Sequence, residues 1–259
     1  MPDELIKTDS SGGILTVTLA RSDKKNALID SMYGAMADAL EAAENDPSIR
    51  VVLLQSEGDM FTAGNDVGEF AAAEPGSSLN EQNVGRFLRA LANSSLPLVA
   101  AVQGRAVGVG TTLLLHCDFI LLADNALLSA PFVNLALVPE AASSLLMPAR
   151  VGYVRAFELF ALGELVDART AVEWGLANRV VALSSLHAEA RTVAERIARQ
   201  PAGSLMATKR LMRDPAALTA RMFVENEVFS RRLQTAEARE AFSAFAERRA
   251  PDFLKLSTS

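Results

Sequence analysis

Short, unbroken apolar segments recur along the first half of the chain, and each is followed by a polar turn that contains glycine. Residues 51–55 and 97–102 are the clearest of them, and such runs are typical of strands buried on both faces. Helical patterns at residues 30–45 and 82–93 alternate with these strands. Because alternating strands and helices usually build a parallel sheet, the pattern predicts an α/β fold.

The organisation changes near residue 141, after which helical patterns dominate and a strand pattern appears at residues 180–183. We therefore predict an α/β core over residues 1–195 and a helical region over residues 196–259. The other predicted strands are 14–19, 119–123 and 127–132, and the other predicted helices are 109–116, 142–150, 153–162, 167–174, 187–200, 202–212, 218–234 and 235–249.

Two glycine-bearing segments, FTAGNDVGEF at residues 61–70 and GRAVGVGTTLLLHCD at residues 104–118, each follow a buried strand. In the plain interpretation, Gly64 supplies a backbone angle that other residues avoid, and the polar residues after it cap a helix. In the functional interpretation, both corners expose unpaired backbone N–H groups, which favour negative charge. If the corners face each other, the amides of Asn65 and Val109 can bind one oxygen, as in an oxyanion hole.

These segments, together with FILLADNALLSAPF and AFSAFAERRAPDF further along, resemble the hallmark sequences of the crotonase (enoyl-CoA hydratase/isomerase) superfamily, and the resemblance covers nearly the whole chain. It implies a crotonase-like α/β fold, a (ββα)n spiral core followed by a helical C-terminal oligomerisation region. It also implies that the Asn65 and Val109 amides hold the thioester oxygen of an acyl-CoA. Many members carry glycine at the position of Val109, but an amide donor needs no particular side chain.

The resemblance further implies a set of substrate-binding positions. RSDKKNAL, residues 21–28, is similar to the family's loop around coenzyme A. Family members approach the adenine from a neighbouring subunit at the positions of Phe229 and Arg248. In the loop at residues 21–28, Lys24 and Lys25 are candidates to contact the phosphates of coenzyme A, and the alternative is that they are ordinary solvated surface lysines. For Asp66 a role as a helix cap is favoured over a role as a base. The expected substrate-binding residues are Lys25, Ala27, Ala63, Gly64, Asp66, Val67, Gly108, Thr112, Phe132, Phe229 and Arg248.

A homotrimer or a hexamer built from two trimers is the expected assembly. The family packs its C-terminal helices across a threefold interface, and this chain carries an apolar stripe there. The residues of that stripe are Met222, Phe223, Phe229, Leu233, Phe242 and Phe245.

The residues that would distinguish the reactions of the family are Thr112, Phe132 and Glu140. Hydratases of the family use two glutamates, and the matching positions here carry Thr112 and Phe132, which cannot exchange protons near neutral pH. Glu140 follows Pro139, so one interpretation places it in the first turn of a helix, where it complements the helix dipole. The other makes it a catalytic base, because PFxxLxxxPExxSS resembles the Δ3,Δ2-enoyl-CoA isomerases, whose catalytic glutamate occupies this position.

The isomerase interpretation needs one base, which moves a proton from C2 to C4 of the acyl chain. Apolar residues near Glu140 in the sequence would raise its pKa by desolvation and make it a better base. Two other functions stay open: a hydratase-like or other crotonase activity, including chemistry with Glu140 as nucleophile, and a catalytically silent acyl-CoA-binding protein. The thioester carries its own coenzyme A, so we expect no separate cofactor.

Composition argues against several other classes of function. The formal charge is −6, from 25 basic and 31 acidic side chains, which does not favour nucleic-acid binding. One cysteine and two histidines give little material for a metal site. The N-terminus lacks a signal-peptide pattern and no apolar run is long enough to span a membrane, so we expect a cytoplasmic protein. We also expect residues 71–80 to form a mobile loop beside the acyl pocket.

Overall fold

A largely parallel β-sheet forms the centre of the molecule. The computed structural model describes residues 4–66, 68, 80 and 82–256. Within them, a six-stranded sheet has the order β1-β2-β3-β4-β6-β9, and every neighbouring pair except β1–β2 is parallel. Its strands are Ile6–Ser11 (β1), Ile14–Leu19 (β2), Val51–Ser56 (β3), Leu98–Val102 (β4), Phe119–Ala123 (β6) and Arg179–Val181 (β9). The predicted α/β fold with mostly parallel strands is confirmed.

Both faces of this sheet are covered, which explains the unbroken apolar runs. Val51 and Leu53 point to one face, where the helix Leu186–Ala198 packs with its Leu186, Ala190 and Val193 side chains. Val52 and Leu54 point to the opposite face and join the main core, which includes Met32, Met36 and Leu40 of the helix Asp30–Asn45. Because each strand contacts apolar groups on both sides, its sequence shows no alternation.

A smaller three-stranded sheet carries the backbone of the second glycine corner. It has the order β5-β7-β8, from Arg105–Val107 (β5), Leu127–Ser129 (β7) and Val166–Asp167 (β8). The predicted strand 127–132 is therefore too long: it ends at Ser129, and a short 3₁₀ helix follows at Val133–Leu135. Pro131 explains the early end, since proline has no N–H to donate to a ladder.

Helices make up most of the chain after residue 142. In chain order the described α-helices are Asp30–Asn45 (α1), Asn83–Asn93 (α2), Val109–Thr112 (α3), Ser143–Val151 (α4), Tyr153–Leu162 (α5), Ala168–Glu173 (α6), Leu186–Ala198 (α7), Ala202–Met212 (α8), Pro215–Leu233 (α9) and Ala236–Ala246 (α10). A 3₁₀ helix, Leu113–His116, directly continues α3. No helix in the described part of the chain combines the length and apolarity that crossing a bilayer requires.

Two expectations about the chain's organisation stay predictions. The proposed division after residue 195 falls within α7, three residues before its end. The proposed mobile loop, residues 71–80, lies outside the described residues except for Asn80.

Candidate active site

Backbone hydrogen bonds hold the first glycine corner, residues 61–66. Among the described residues they leave one N–H group of the corner without an acceptor. Leu28 donates to Gly64 O at 2.8 Å, and Asp66 N donates to Leu28 O at 2.9 Å. The N–H of Asn65, between them, has no acceptor among the described residues. The Asn65 side chain is fixed separately, because the Tyr33 hydroxyl donates to its Oδ1. The corner therefore exposes the amide that the sequence predicted.

Gly64 is required at this corner by its backbone angle and by its surroundings. Its φ is +86°, and a methyl group on its Cα would lie 2.7 Å from the carbonyl oxygen of Val107. Contacts that short are not tolerated against a backbone atom. The first corner thus packs directly on the second.

The second corner, residues 107–112, begins α3. Gly108 has a φ of +57° and donates its N–H to Ser129 O at 2.9 Å. Val109 is the first residue of the helix, and its N–H has no acceptor among the described residues, as expected at a helix start. The helix comes close to the first corner, because a methyl group at Gly110 would lie 2.3 Å from Thr62 Cγ2.

Thr62 connects the two corners. Its N–H donates to Arg105 O at 3.1 Å, and its carbonyl accepts from Val107 N at 3.1 Å, so the segments run side by side. Its buried hydroxyl accepts from Gly64 N at 3.0 Å and donates to Asn26 O at 2.6 Å. The structure thus brings together the two predicted corners, and their use as an oxyanion hole stays a prediction.

The predicted coenzyme A loop, residues 21–28, is joined to the first corner. Arg21 donates through Nη1 to both Ala27 O and Asp66 Oδ2, each at 2.8 Å. Ala63 N donates to Lys25 O at 2.9 Å. The Lys25 ammonium forms an exposed ion pair with Asp59 at 2.7 Å. Exposed pairs of this kind contribute little free energy, and the binding of coenzyme A by Lys25 stays a prediction.

Glu140 lies at the second corner, in direct contact with α3. The Thr112 hydroxyl donates to Glu140 Oε1 at 2.5 Å, and both side chains are buried. The sequence analysis placed Thr112 at a hydratase glutamate position but did not predict this contact. The only feature of the sequence that could have indicated this contact is the position of Thr112, three residues after Val109 on the same short helix. Phe132, at the other hydratase glutamate position, is buried. The centroid of its ring lies 6.1 Å from that of Phe160.

The helix-cap interpretation of Glu140 is wrong, because Glu140 lies three residues before the helix begins and not in its first turn. Helix α4 starts at Ser143, and the two residues before it, Ala141 and Ala142, have left-handed φ values of +61° and +56°. Another carboxylate occupies the helix start: Glu225 of α9 accepts Ala142 N at 2.6 Å and Ser144 N at 2.9 Å. Glu140 is thus not needed to complement that dipole.

The environment of Glu140 raises its proton affinity. Its pKa is raised to about 7, chiefly by burial; the Thr112 hydrogen bond acts in the opposite direction, and the negative charge of Glu225 adds to the increase. Among the described residues no cationic side chain forms an ion pair with it. A carboxyl group with this pKa both accepts and returns protons near neutral pH, as a general acid–base catalyst must.

His116 and Cys117 behave as structural groups. His116 donates from Nε2 to Ala141 O at 2.8 Å, while Arg213 donates to its Nδ1. Burial, with the nearby charge of Arg213, lowers the pKa of His116 to about 3, so the ring stays neutral. Burial raises the pKa of the Cys117 thiol to about 12, which excludes a thiolate nucleophile at neutral pH.

The structure does not bring every predicted residue to this site. Phe229 is only 2% exposed and packs within the chain's own core, so its ring is not presented to a ligand by this chain. Arg248 is exposed beyond the end of α10, with a φ of +55°. Val67 lies outside the described residues. In the described part of the chain, no group of three or more His, Cys, Asp or Glu side chains could hold a metal ion.

Comparison with known families supports the resemblance. A family model described as enoyl-CoA hydratase/isomerase matches residues 9–255. The crystal structure of an enoyl-CoA hydratase/isomerase from Pseudoalteromonas atlantica T6c is 41% identical, with a TM-score of 0.91, covering 96% of this chain and 100% of that one. The predicted crotonase-like fold is therefore confirmed.

Named relatives differ in the reaction that their names describe. The 1,2-epoxyphenylacetyl-CoA isomerase of Escherichia coli (strain K12) is 32% identical over 96% of this chain and 98% of its own length. The enoyl-CoA delta isomerase 2 of Rattus norvegicus is 34% identical over 80% of this chain and 54% of its own length. Further relatives, 29–33% identical, are named as enoyl-CoA hydratases.

Proposed function

The chain belongs to the enoyl-CoA hydratase/isomerase family, and on that premise we propose that it is a Δ3,Δ2-enoyl-CoA isomerase. The observation that carries the proposal is the contact between Thr112 and Glu140. A threonine stands where a hydratase has a glutamate, and its hydroxyl hydrogen-bonds to a buried carboxylate from a different part of the chain. The site thus keeps one carboxylate that can exchange protons, which is the number that an isomerisation needs.

In the proposed reaction Glu140 moves one proton within the substrate. Its ionised carboxylate removes a proton from C2 of a 3-enoyl-CoA, and the electron pair of that C–H bond delocalises into a dienolate. The protonated Glu140 then returns the proton to C4, the thioester carbonyl re-forms, and the double bond lies between C2 and C3. Atoms and charge balance without water, a metal or a redox cofactor, so we propose that none takes part.

The two glycine corners would stabilise the dienolate. Its charge is concentrated on the thioester oxygen, and the unpaired N–H groups of Asn65 and Val109 are the proposed donors to it. Removing one such donor typically costs on the order of 10²–10³ in rate. Thr112 would keep Glu140 oriented toward the acyl chain, and its hydrogen bond moderates the effect of burial on the Glu140 pKa.

Hydration is the second candidate, because several relatives are named as hydratases. Water addition in this family uses two carboxylates, and neither Thr112 nor Phe132 can replace one. The other buried carboxylate near Glu140 is Glu225, whose two oxygens are both occupied by backbone N–H groups. A hydratase would therefore have to work with Glu140 alone.

A pair of turnover assays tests the proposal. We expect conversion of a 3-enoyl-CoA to the 2-enoyl-CoA, and at least ~10²-fold slower hydration of the 2-enoyl-CoA, since general acid–base groups contribute about 10²–10⁴-fold. Faster hydration than isomerisation would favour the hydratase. Binding of an acyl-CoA without turnover of either substrate would favour the silent binding protein.

We also propose that the chain assembles as a trimer or a dimer of trimers. Part of the predicted apolar stripe of the C-terminal helices packs inside the chain, since Met222 and Phe229 are buried. Phe223 and Phe245 remain more than half exposed, and helix α5 adds an apolar surface that the sequence analysis did not identify, formed by Tyr153, Val154 and Phe157. Exposed apolar area of this kind supports a contact between copies. A stable monomer in light scattering at micromolar concentration would contradict this proposal.

A further inference from the structure

Glu225 is a buried carboxylate for which the proposed reaction has no use. It lies on α9, more than 80 residues after Glu140, and its two oxygens accept Ala142 N at 2.6 Å and Ser144 N at 2.9 Å. These are the backbone groups immediately after the Glu140 turn. The two N–H groups stabilise the charged form of the carboxylate and so oppose the effect of burial on its pKa.

The turn that Glu225 binds has an unfavourable backbone. Ala141 and Ala142 are consecutive left-handed residues, and neither is glycine, asparagine or aspartate, the residues that tolerate this conformation. Such strain persists only where the surroundings impose it. Two contacts do so here: Glu225 accepts the Ala142 N–H, and His116 donates to the Ala141 carbonyl at 2.8 Å.

Glu225 also acts on Glu140 electrostatically, and it forms no ion pair with any residue that the structure describes. Its charge raises the pKa of Glu140, and burial raises the pKa of Glu225 itself, opposed by its hydrogen bonds to Ser144 and Ala142 and by the charge of the exposed Arg221. Several other cations on or beside α9 have partners elsewhere. Arg86 pairs with Asp38 and Glu41, and Arg232 pairs with Glu237. Arg89 donates to Asn80 O, Arg150 to Leu115 O and Arg213 to His116 O. Arg231 is the remaining arginine of α9 besides Arg221. The neutral His116 adds no charge to the turn.

We propose that Glu225 is a positioning residue for Glu140. It holds residues 141–142 in the left-handed conformation that aims Glu140 at Thr112, and it brings to this turn a negative charge that no ion pair among the described residues neutralises. This inference rests on the proposed function only for the statement that Glu140 is the base; the geometric and electrostatic coupling exists whatever the reaction.

The test compares Glu225→Gln with Glu44→Gln. Glu44 is the matched control, because it also accepts backbone N–H groups from a distant segment, Ser95 and Leu96, but belongs to α1 and does not contact the Glu140 turn. The first readout is the Glu140 pKa from ¹³C carboxyl NMR titration, with the signal assigned by its loss in Glu140→Gln. We expect Glu225→Gln to lower that pKa by about one unit and Glu44→Gln to leave it unchanged.

The second readout is kinetic. For Glu225→Gln we expect the acidic limb of the isomerase pH profile to move to lower pH with the Glu140 pKa, and kcat to fall by roughly 10-fold with KM within about 2-fold. A merely structural role would lower the amount of folded enzyme without moving the limb. An unchanged Glu140 pKa in folded Glu225→Gln would overturn the proposal.

A measurement on the wild type covers the case in which Glu225→Gln does not fold. Because Glu225 can act on Glu140 electrostatically only while it is ionised, its ¹³C carboxyl signal must already be that of a carboxylate through the pH range in which Glu140 titrates. A Glu225 that is still protonated in that range would equally overturn the proposal. If neither enoyl-CoA is turned over, the function proposed above fails, while both NMR measurements still decide the role of Glu225.

Discussion

Two kinds of tight turn meet at the candidate site, and they are stabilised in opposite ways. In the two glycine corners, residues 61–66 and 107–112, the positions of positive φ are filled by glycine, at Gly64 and Gly108. In the turn after Glu140 they are filled by alanine, at Ala141 and Ala142. The corners present backbone amides and the turn presents a side chain, but both bend the chain through angles that L-residues avoid.

The difference teaches where each conformation is encoded. A glycine corner is encoded locally, because its sequence allows the angle at no steric cost. The Glu140 turn is encoded by distant residues, because Glu225 and His116 bind its backbone from α9 and from the 3₁₀ helix after α3. A mutation of the corner therefore acts where it is made, whereas the turn can be changed from across the molecule.

The largest expected effect comes from removing Glu140, the proposed base, which the alanine turn presents. Glu140→Gln keeps the shape and the Thr112 contact but removes the basic group, and no second carboxylate is free to replace it. We expect isomerase turnover to fall by at least ~10³-fold, near the upper part of the range for general acid–base groups. Acyl-CoA affinity, measured by calorimetric titration, should change by less than about 3-fold, because both amide-bearing corners are intact.

A variant that retained more than roughly a tenth of the wild-type rate, equivalent to about 1.4 kcal/mol or less in the barrier, would remove Glu140 from the mechanism. The comparison would then be between two structural turns. Glu44→Gln serves again as the control for removing a carboxylate that accepts backbone N–H groups from a distant segment.

Gly64→Ala tests the glycine corner and should have the next largest effect. The new methyl group would lie 2.7 Å from Val107 O at a φ of +86°, so the corner must move and carry the Asn65 amide with it. We expect turnover to fall by about 10²-fold, the size expected for one lost oxyanion donor. Steady-state assays of purified folded protein measure this directly.

Gly152→Ala provides the matched control for backbone strain. Gly152 has nearly the same φ, +82°, but a methyl group there meets nothing within 4 Å. Its ψ of 159° lies in a region that is essentially restricted to glycine, so the variant should lose about 1–3 kcal/mol of unfolding free energy through strain alone and keep its turnover. Equal catalytic losses in both variants would show that strain rather than amide position matters.

Of these variants, Ala142→Gly should have the smallest effect. Glycine relieves a left-handed strain of roughly 1–2 kcal/mol, but it loses a buried methyl group and adds chain entropy to the unfolded state. These contributions nearly cancel, so we expect the free energy of unfolding to change by less than about 1 kcal/mol in denaturant titration, with turnover within about 3-fold. A loss above about 3 kcal/mol would mean that the turn is not strained.

Much of the fold could be predicted from sequence because its elements carry strong local patterns. Helix α1, helix α5, helix α8 and strand β6 have the predicted bounds. Strand β1 was missed because it is an edge strand in which Ile6 is buried and the five residues after it are exposed. Strand β5 was missed because its three residues are too few for a pattern.

The site could be predicted only in part, for the same reason that separates its two kinds of turn. Glycine marked the corners at residues 64 and 108, so the unpaired backbone N–H groups that follow it could be predicted from the sequence. Nothing local marked Ala141 and Ala142 as left-handed, so the sequence left a helix start at Glu140 open as an alternative, although the helix begins at Ser143. The contacts of Thr112 and Glu225 join residues 28 and 81–83 positions apart, and no pattern along the chain reports such pairs.

The uncompensated Glu140 also makes folding itself a proton-uptake reaction. Its pKa is raised from 4.5 to about 7 in the folded chain, so between these values the folded state binds a proton that the unfolded state does not. The stability that this proton provides is fully present below about pH 4.5 and is lost as pH rises through about 7. The raised pKa of Glu225 acts in the same direction. Calorimetric unfolding near pH 6, in buffers of different ionisation enthalpy, should therefore register about one proton fewer released in Glu140→Gln than in the wild type.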